Sequence, residues 1–427
     1  MVAAMSLVSP RDDLTSRRRH LPVETLWNMP RRAKHRVVSY TTSHMRLALV
    51  ADWLTTFGGA EHVLSACTQM FPEAPVFTTL RAKGEGRLGP LEHANIRITS
   101  LQRWYNVIRH HQVLLPWMPQ AIESIDLTGY DIVLSSSHAV GKGVIVAPQC
   151  VHICYCHTPV RYAWEMEQEY LDDFRVPRLL RPWIKRQLNQ LRRWDMSSAK
   201  RVDRYIANSL ATQERIKRIY GRDSIVIPPP VHERFFAANS DQRIANSADR
   251  SPLTAHRYFL AVGRLVPYKR FDLLIQLANK SGIRLKIAGT GQDEARLRAL
   301  AGPSVEFLGF VPESELPALY AGAQALLFPQ HEDAGIVALE AMASGTPVIA
   351  YRAGGALDAV REGETGILFA EQSLTSLEDA LARFDVHSFD RELIRAHATQ
   401  FSQETFRKKL LDEVLHSFHE KSRLSQG

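Results

Sequence analysis

The chain has 427 residues, 45% hydrophobic and 23% charged, with a formal net charge of +8. That length suits two or three ordinary domains, and the balance is that of a globular chain rather than a disordered or fibrous one. No apolar run approaches the roughly 18–20 residues of a membrane-spanning helix. Four cysteines, Cys67, Cys150, Cys154 and Cys156, are too few for a disulfide scaffold. Cys154 and Cys156 lack C-x-x-C spacing, and the four read as buried thiols in a reducing cytosol.

Residues 1–44 hold eight Lys/Arg against three acids. This segment has neither an apolar periodicity nor a signal-peptide core. It reads as a disordered extension, or as an upstream extension of the reading frame, with folded structure expected from Met45 in "MRLALVADWL". Short β-branched runs then alternate with helical patterns, the signature of parallel sheets in α/β layers. Strands are expected near "RLALVADW", "APVFTTL", "DIVLSSS", "HICYCHTP", "RYIANS" and "IVIPPP".

Residues 175–222 carry fourteen Lys/Arg and three acids. Leu180, Ile184, Leu188, Leu191 and Trp194 recur at helical spacing. Arg178, Lys185 and Arg192 are seven apart and share a helical face. This is either a solvated face over a core or a docking surface for an anionic membrane or a pyrophosphate-bearing lipid. No helix-turn-helix or zinc-finger spacing accompanies the charge, so nucleic acid is not the expected partner.

Prolines 228–230 end regular structure, and the polar stretch 237–256 reads as a linker. Strand patterns resume with "YFLAVGRL", "RLKIAGTG", "VEFLGF", "ALLFPQ", "PVIAYRAGG" and "GILFA". In the last stretch Phe406, Leu410, Leu411, Val414 and Phe418 mark an amphipathic helix. The expected architecture is α/β: two Rossmann-like, doubly wound domains, 45–236 and 257–400, facing a central cleft. Residues 401–427 supply a helix that packs back across them.

In such sheets ligands bind at the carboxyl ends of strands, so the residues there are the candidates. Gly58 and Gly59 precede a helix start and offer a close approach for an anion, though a plain turn would use glycine too. His157 follows "HICYC", ahead of a proline-fixed extended segment; His138 holds a similar strand end with less support. Arg264 and Lys269 follow "YFLAVG" and suit a diphosphate, or are simply exposed cations. "GTGQDE" lacks the third glycine of a dinucleotide motif and reads as a turn.

Glu332 and Glu340 lie eight positions apart in "QHEDAGIVALEAMASG". If 335–340 is helical it rises only about 7 Å. The N–H groups of Gly335, Ile336 and Val337 then point outward toward a phosphate. Glu332, at the helix mouth, suits sugar hydroxyls, and Glu340 a ribose. A capping acid plus a surface glutamate is the plainer alternative.

Together "GGAE", "CHTPVRYAW", "PPPVHERF", "VGRLVPYKRFDLLI", "FLGFV" and the E-x7-E segment resemble glycosyltransferase family 4, retaining enzymes of the GT-B fold, over residues 45–400. "CHTPVRYAW" is most similar to the branch of bacterial mannosyltransferases that build O-antigen and exopolysaccharide on lipid carriers. The resemblance implies that Arg264 and Lys269 neutralise the departing diphosphate. Glu332 would bind the transferred hexose and Glu340 the ribose, with Gly335, Ile336 and Val337 presenting N–H groups. Phe310 would lie near the base, Gly59 on the acceptor side and His157 by the reacting sugar. It implies a nucleotide-sugar donor, GDP-mannose or else a UDP-sugar, and a lipid-linked oligosaccharide acceptor at the cytoplasmic face of a membrane. No cofactor or metal is implied, and the chain has no D-x-D triplet. Ala334 stands where the family commonly has Phe, and His232 where it has Asp.

A glycoside hydrolase would also use paired carboxylates, but not two cations and a helix start. An epimerase shares the fold class, and a basic binding protein would leave the strand-end residues idle.

Overall fold

The structure, a computed structural model, describes residues 45–84, 86–165, 177, 179, 181–237 and 258–424. The basic extension, nearly all of the expected linker and part of the 175–222 block, including Arg178 and Leu180, lie outside the described residues.

Two parallel sheets organise the described chain. The first runs β3-β2-β1-β4-β5-β6-β7. Its strands are β1 (Leu47–Ala51), β2 (Val76–Thr78), β3 (Ile96–Ile98), β4 (Ile132–Ser137), β5 (Val151–Cys156), β6 (Arg204–Ala207) and β7 (Ser224–Val226). The second runs β10-β9-β8-β11-β12-β13. It comprises β8 (Tyr258–Val262), β9 (Leu285–Ala288), β10 (Val305–Gly309), β11 (Ala323–Phe328), β12 (Val348–Tyr351) and β13 (Gly366–Phe369). Only β3 was not expected: three half-exposed residues at a sheet edge, with Arg97 between two isoleucines, give no periodic signal.

The central strands are near-continuous apolar runs because helices cover both faces of each sheet. Along β8, Tyr258 and Leu260 join one core while Phe259 and Ala261 join the core on the opposite face, as strand alternation demands. Cys154 and Cys156 point together into a third core with Tyr205 and Ile216. All four cysteines are buried free thiols. His232 caps the short helix Glu233–Phe236, its Nδ1 accepting the Arg234 N–H at 3.1 Å. An aspartate could do the same, which accounts for the exchange at this position.

After β13 the chain adds helices Leu374–Val386 and Arg391–Ala398 to the second lobe, then crosses back. Helix Gln403–Leu424 lies on the first lobe: Phe406 meets the ring of Tyr155 at 5.9 Å, Glu413 pairs with Arg204 at 3.1 Å, and Lys421 with Asp203 at 2.7 Å.

Helix Arg181–Ala199 occupies much of the basic block, burying Leu188 and Leu191. Much of the block's charge is spent internally: Arg201 on Glu123 at 2.6 Å, Arg215 on Glu165 at 3.0 Å, Lys217 on Asp223 at 2.8 Å. Arg192 is half-buried and donates to Asn189 and to the Ala163 carbonyl. Lys185, seven residues earlier on the same helix, is exposed. No helix among the described residues is long and apolar enough to cross a membrane.

Candidate active site

Each sheet reverses its strand order once, between β1 and β4 and between β8 and β11. The crevice at the carboxyl ends beside such a reversal is where parallel sheets hold ligands. In both lobes a charged pair stands there.

In the second lobe the pair is Lys269 and Glu332. Lys269 ends a 3-10 turn, Pro267–Lys269, that follows β8. The next residue, Arg270, adopts a left-handed φ of 57°, a conformation costing roughly 1–2 kcal/mol outside glycine; its guanidinium bonds Asp272 at 3.2 Å. Glu332 lies on the loop after β11. Its carbonyl accepts the Gly355 N–H at 3.0 Å. A Cβ on Gly354, where φ is 59°, would stand 2.0 Å from that carbonyl. Hence the "AGG" that follows β12: two glycines let the backbones touch and so fix the loop. Lys269 Nζ lies 3.1 Å from Glu332 Oε1. It sits off the hydrogen-bonding direction, so this buried oxygen has no hydrogen-bond partner among the described residues. A buried carboxylate oxygen in that state favours a polar ligand.

Gly335, with φ 66°, starts helix Ile336–Ala343. The intrahelical bonds begin with Ala338 N to the Gly335 carbonyl, so the N–H groups of Ile336 and Val337 belong to the unpaired first turn. Glu340 lies farther along and is 8% exposed, accepting the Tyr320 hydroxyl at 3.0 Å. Burial pushes its carboxyl up to about 7, against the opposing charge of His62 and the Tyr320 bond. Arg264 is exposed after β8, and Phe310, 78% exposed, follows β10.

In the first lobe the pair is Asp52 and His138, at the ends of β1 and β4. Asp52 is buried. Its Oδ2 takes His138 Nδ1 at 2.8 Å and the His138 N–H at 2.7 Å, while Oδ1 accepts the Ser137 hydroxyl at 2.9 Å and the Gly141 N–H. Burial opposes a charged imidazole at His138, but the Asp52 carboxylate outweighs it and raises the pKa. Trp53 packs edge-on against His138 at 4.8 Å. With Nδ1 held by Asp52, Nε2 is left for a ligand.

His157, at the end of β5, engages Ser136 Oγ through Nε2 at 2.8 Å. Burial and the neighbouring His138 push its pKa down to about 3, so it is a neutral imidazole at working pH. His138, whose charged form the Asp52 carboxylate favours, lies beside it at 6.5 Å between ring centroids. Gly59 begins helix Gly59–Met70 in open space, after Gly58, whose N–H bonds Glu61 at 3.1 Å.

The lobes meet around these groups. Arg264 is close enough to His138 for its charge to act on the imidazole. His62 Nε2 lies 3.3 Å from Glu313, the Leu210 N–H donates to Asp358 at 2.7 Å, and Arg215 and Arg161 both reach Asp333. Sequence reasoning missed Asp52, Arg161, Arg215 and Asp333. Asp52 had a usable signal, an acid directly after the first apolar run; Asp333 stood beside Glu332.

Two facing sheets with charged pairs at both reversals form the GT-B architecture of glycosyltransferases. HepE of Anabaena, solved in complex with UDP and glucose, matches it with a TM-score of 0.62 over 87% of this chain and 99% of that one, at 19% identity. Sucrose-phosphate synthase of Thermosynechococcus elongatus gives 0.60 over 90% and 98%, at 18% identity. These are likenesses of fold. Residues 57–235 match the family model "Glycosyltransferase Family 4", and residues 245–388 the model "Glycosyl transferases group 1". Both halves of the chain thus match models of glycosyltransferases. The D-inositol 3-phosphate glycosyltransferase of Acidothermus cellulolyticus is 32% identical over 230 residues, 47% of this chain and 50% of that protein. The chain thus spans about half the length of the curated relatives it matches.

Glu340 carries a thermodynamic prediction. Its folded pKa lies above the ordinary 4.5, so the folded state binds the proton more tightly than the unfolded one. Stability is therefore lost as pH rises from about 4.5 through about 7. Glu340→Gln keeps an acceptor for Tyr320 and removes the titration. Its melting temperature relative to the parent is expected to climb between pH 5 and pH 8, by an equivalent of at most about 3 kcal/mol. A parallel offset at both pH values would contradict the assignment.

Proposed function

We propose that this protein is a retaining glycosyltransferase that moves a hexose from a nucleoside-diphosphate sugar to an acceptor hydroxyl. In the finer reading it moves mannose from GDP-mannose onto a lipid-linked oligosaccharide in bacterial polysaccharide synthesis. The observation that carries the general reading is the Lys269–Glu332 pair at the mouth of helix Ile336–Ala343, with Arg264 of the same lobe close enough to His138 of the other for their charges to act on each other. Glycosyl transfer breaks the bond between the sugar's anomeric carbon and a phosphate oxygen, leaving charge on a diphosphate. Lys269, Arg264 and the N–H groups of Ile336 and Val337 are fixed positive groups where that charge develops. The uncommitted oxygen of Glu332 takes a sugar hydroxyl, and Nε2 of His138 another polar group of the same sugar. The acceptor oxygen attacks the anomeric carbon on the face the phosphate leaves, and its proton passes to the departing phosphate oxygen.

The mannosyl and lipid-carrier parts rest on the "CHTPVRYAW" resemblance. A UDP-sugar donor is the second reading, favoured by the UDP and glucose held by HepE. The relatives' name brings D-inositol 3-phosphate into the acceptor panel. Peripheral contact with an anionic membrane on the cytoplasmic side gains support beyond the basic helix. Trp104, Val107, Trp117 and Trp183 are exposed, and no acid lies between Glu92 and Glu123. Exposed aromatics among cations are what a lipid interface takes up.

The test incubates the protein with radiolabelled GDP-mannose, UDP-glucose and ADP-glucose against membranes and against inositol phosphate. Label should move from GDP-mannose into the lipid fraction. Transfer from UDP-glucose alone selects the second reading, and no transfer from any donor ends the proposal.

A further inference from the structure

One loop of the second lobe faces two ways. Glu332 turns to Lys269 in its own lobe, while the next residue, Asp333, reaches the first lobe and is itself largely buried. There Arg215 Nη1 bonds Asp333 Oδ1, and Arg161 Nη1 lies 3.5 Å from Oδ2. Arg215 is buried too. It also pairs with Glu165 at 3.0 Å and reaches the Thr158 hydroxyl at 3.5 Å, so its fork is held on the first-lobe side before it meets Asp333. Its helix, Leu210–Tyr220, receives a second carboxylate from the other lobe, Asp358, at its first N–H. Asp358 follows Gly354 and Gly355, the glycines that clamp the Glu332 backbone. Thus one helix of the first lobe grips the Glu332 loop through its own side chain and through the segment that braces it.

We propose that Arg215 and Asp333 are positioning residues: their ion pair, made across the cleft, sets Glu332 against the donor sugar only when the lobes are closed. The inference rests on the glycosyltransferase reading. It adds that Glu332 is placed by the acceptor lobe as well as by its own, so that a donor bound to an open molecule does not react. A guanidinium suits such a latch: Nε is held by Glu165 and Nη1 by Asp333, so the planar fork fixes the direction in which it meets the second carboxylate.

The test compares Arg215→Ala, Asp333→Asn, the double variant and Asp333→Glu with the parent. GDP, UDP and ADP binding is measured by calorimetry, turnover on whichever nucleotide-sugar the parent uses, and the radius of gyration by small-angle scattering. Nucleotide Kd should stay within about threefold while kcat falls tenfold or more in each single variant. The double variant should be no worse than the poorer single, the mark of one shared contact. Asp333→Glu should recover part of the loss, and Asp333→Asn should scatter as a more open particle. Multiplying losses, near-parental turnover in Asp333→Asn, or nucleotide affinity falling in step with kcat would each overturn the latch. A parent that binds no nucleotide and transfers no sugar would sink the functional reading itself, and the latch with it.

Discussion

Lys269→Ala is expected to lower sugar transfer by about two to three orders of magnitude, mostly in kcat, the usual effect of removing one preorganised group aimed at developing charge. The side chain is 11% exposed, so its charge acts in a medium far less screening than water. Two consequences combine in the variant. The departing diphosphate loses a point charge, and Glu332 loses the neighbour 3.1 Å away that balances it. An unbalanced carboxylate then repels the very phosphate it should accompany. Lys269→Arg is not expected to rescue, because the site is shaped for a compact ammonium just before a left-handed residue and a guanidinium fork needs more room. Circular dichroism and nucleotide affinity distinguish a chemical defect from a folding defect: the variant should fold, bind the free nucleoside diphosphate less than tenfold more weakly, and turn over poorly. Turnover within threefold of the parent would show that leaving-group charge is met elsewhere, and Arg264, exposed and on the same strand end, would be the group to examine.

Fold and site were legible to different depths. The alternation of short buried strands with helices was plain from "IVLSSS" and "HICYC", because burial on both faces writes itself as an apolar run. The E-x7-E segment and the cations after β8 were visible because loop, helix start and carboxylates are contiguous in sequence. Pairings across long separations were not visible. Asp52 and His138 are separated by 86 positions, and nothing local marks either as the other's partner. Arg215 reads as one cation among fourteen; only the folded arrangement of the chain shows that it meets Asp333, 118 positions on. The basic block stayed open to two readings for the same reason. Counting charges in a window cannot tell a solvated face from residues whose counter-charges come from elsewhere in the chain, as Arg201 finds Glu123 and Arg204 finds Glu413.

Asp195 is the extreme case of such a hidden partner, and its replacement carries the largest expected effect on stability. It is one of only three acids in the basic block and is fully buried. One oxygen holds Lys142 Nζ, itself 2% exposed. The other accepts the Trp164 indole at 2.8 Å and the Tyr220 hydroxyl at 2.9 Å. Four segments of the first lobe therefore converge on one carboxylate. Asp195→Asn removes the charge that balances Lys142, leaving its ammonium the Ala139 carbonyl at 3.1 Å, a neutral amide oxygen and the rings of Trp194 and Tyr220, and a buried charge without a counter-charge costs about 3–5 kcal/mol. Urea unfolding should show that loss, and Lys142→Met combined with Asp195→Leu should regain much of it, since removing both charges also removes their desolvation. A loss below about 1 kcal/mol in Asp195→Asn would mean that Lys142 finds water or sheds its proton. The effect should also reach the site. Lys142 sits in the turn Gly141–Gly143, whose first N–H donates to Asp52, and Asp52 holds His138. A first lobe loosened at Asp195 should therefore lose control of the His138 imidazole before it unfolds, and its signal in nuclear magnetic resonance should broaden at urea concentrations where the parent's stays sharp.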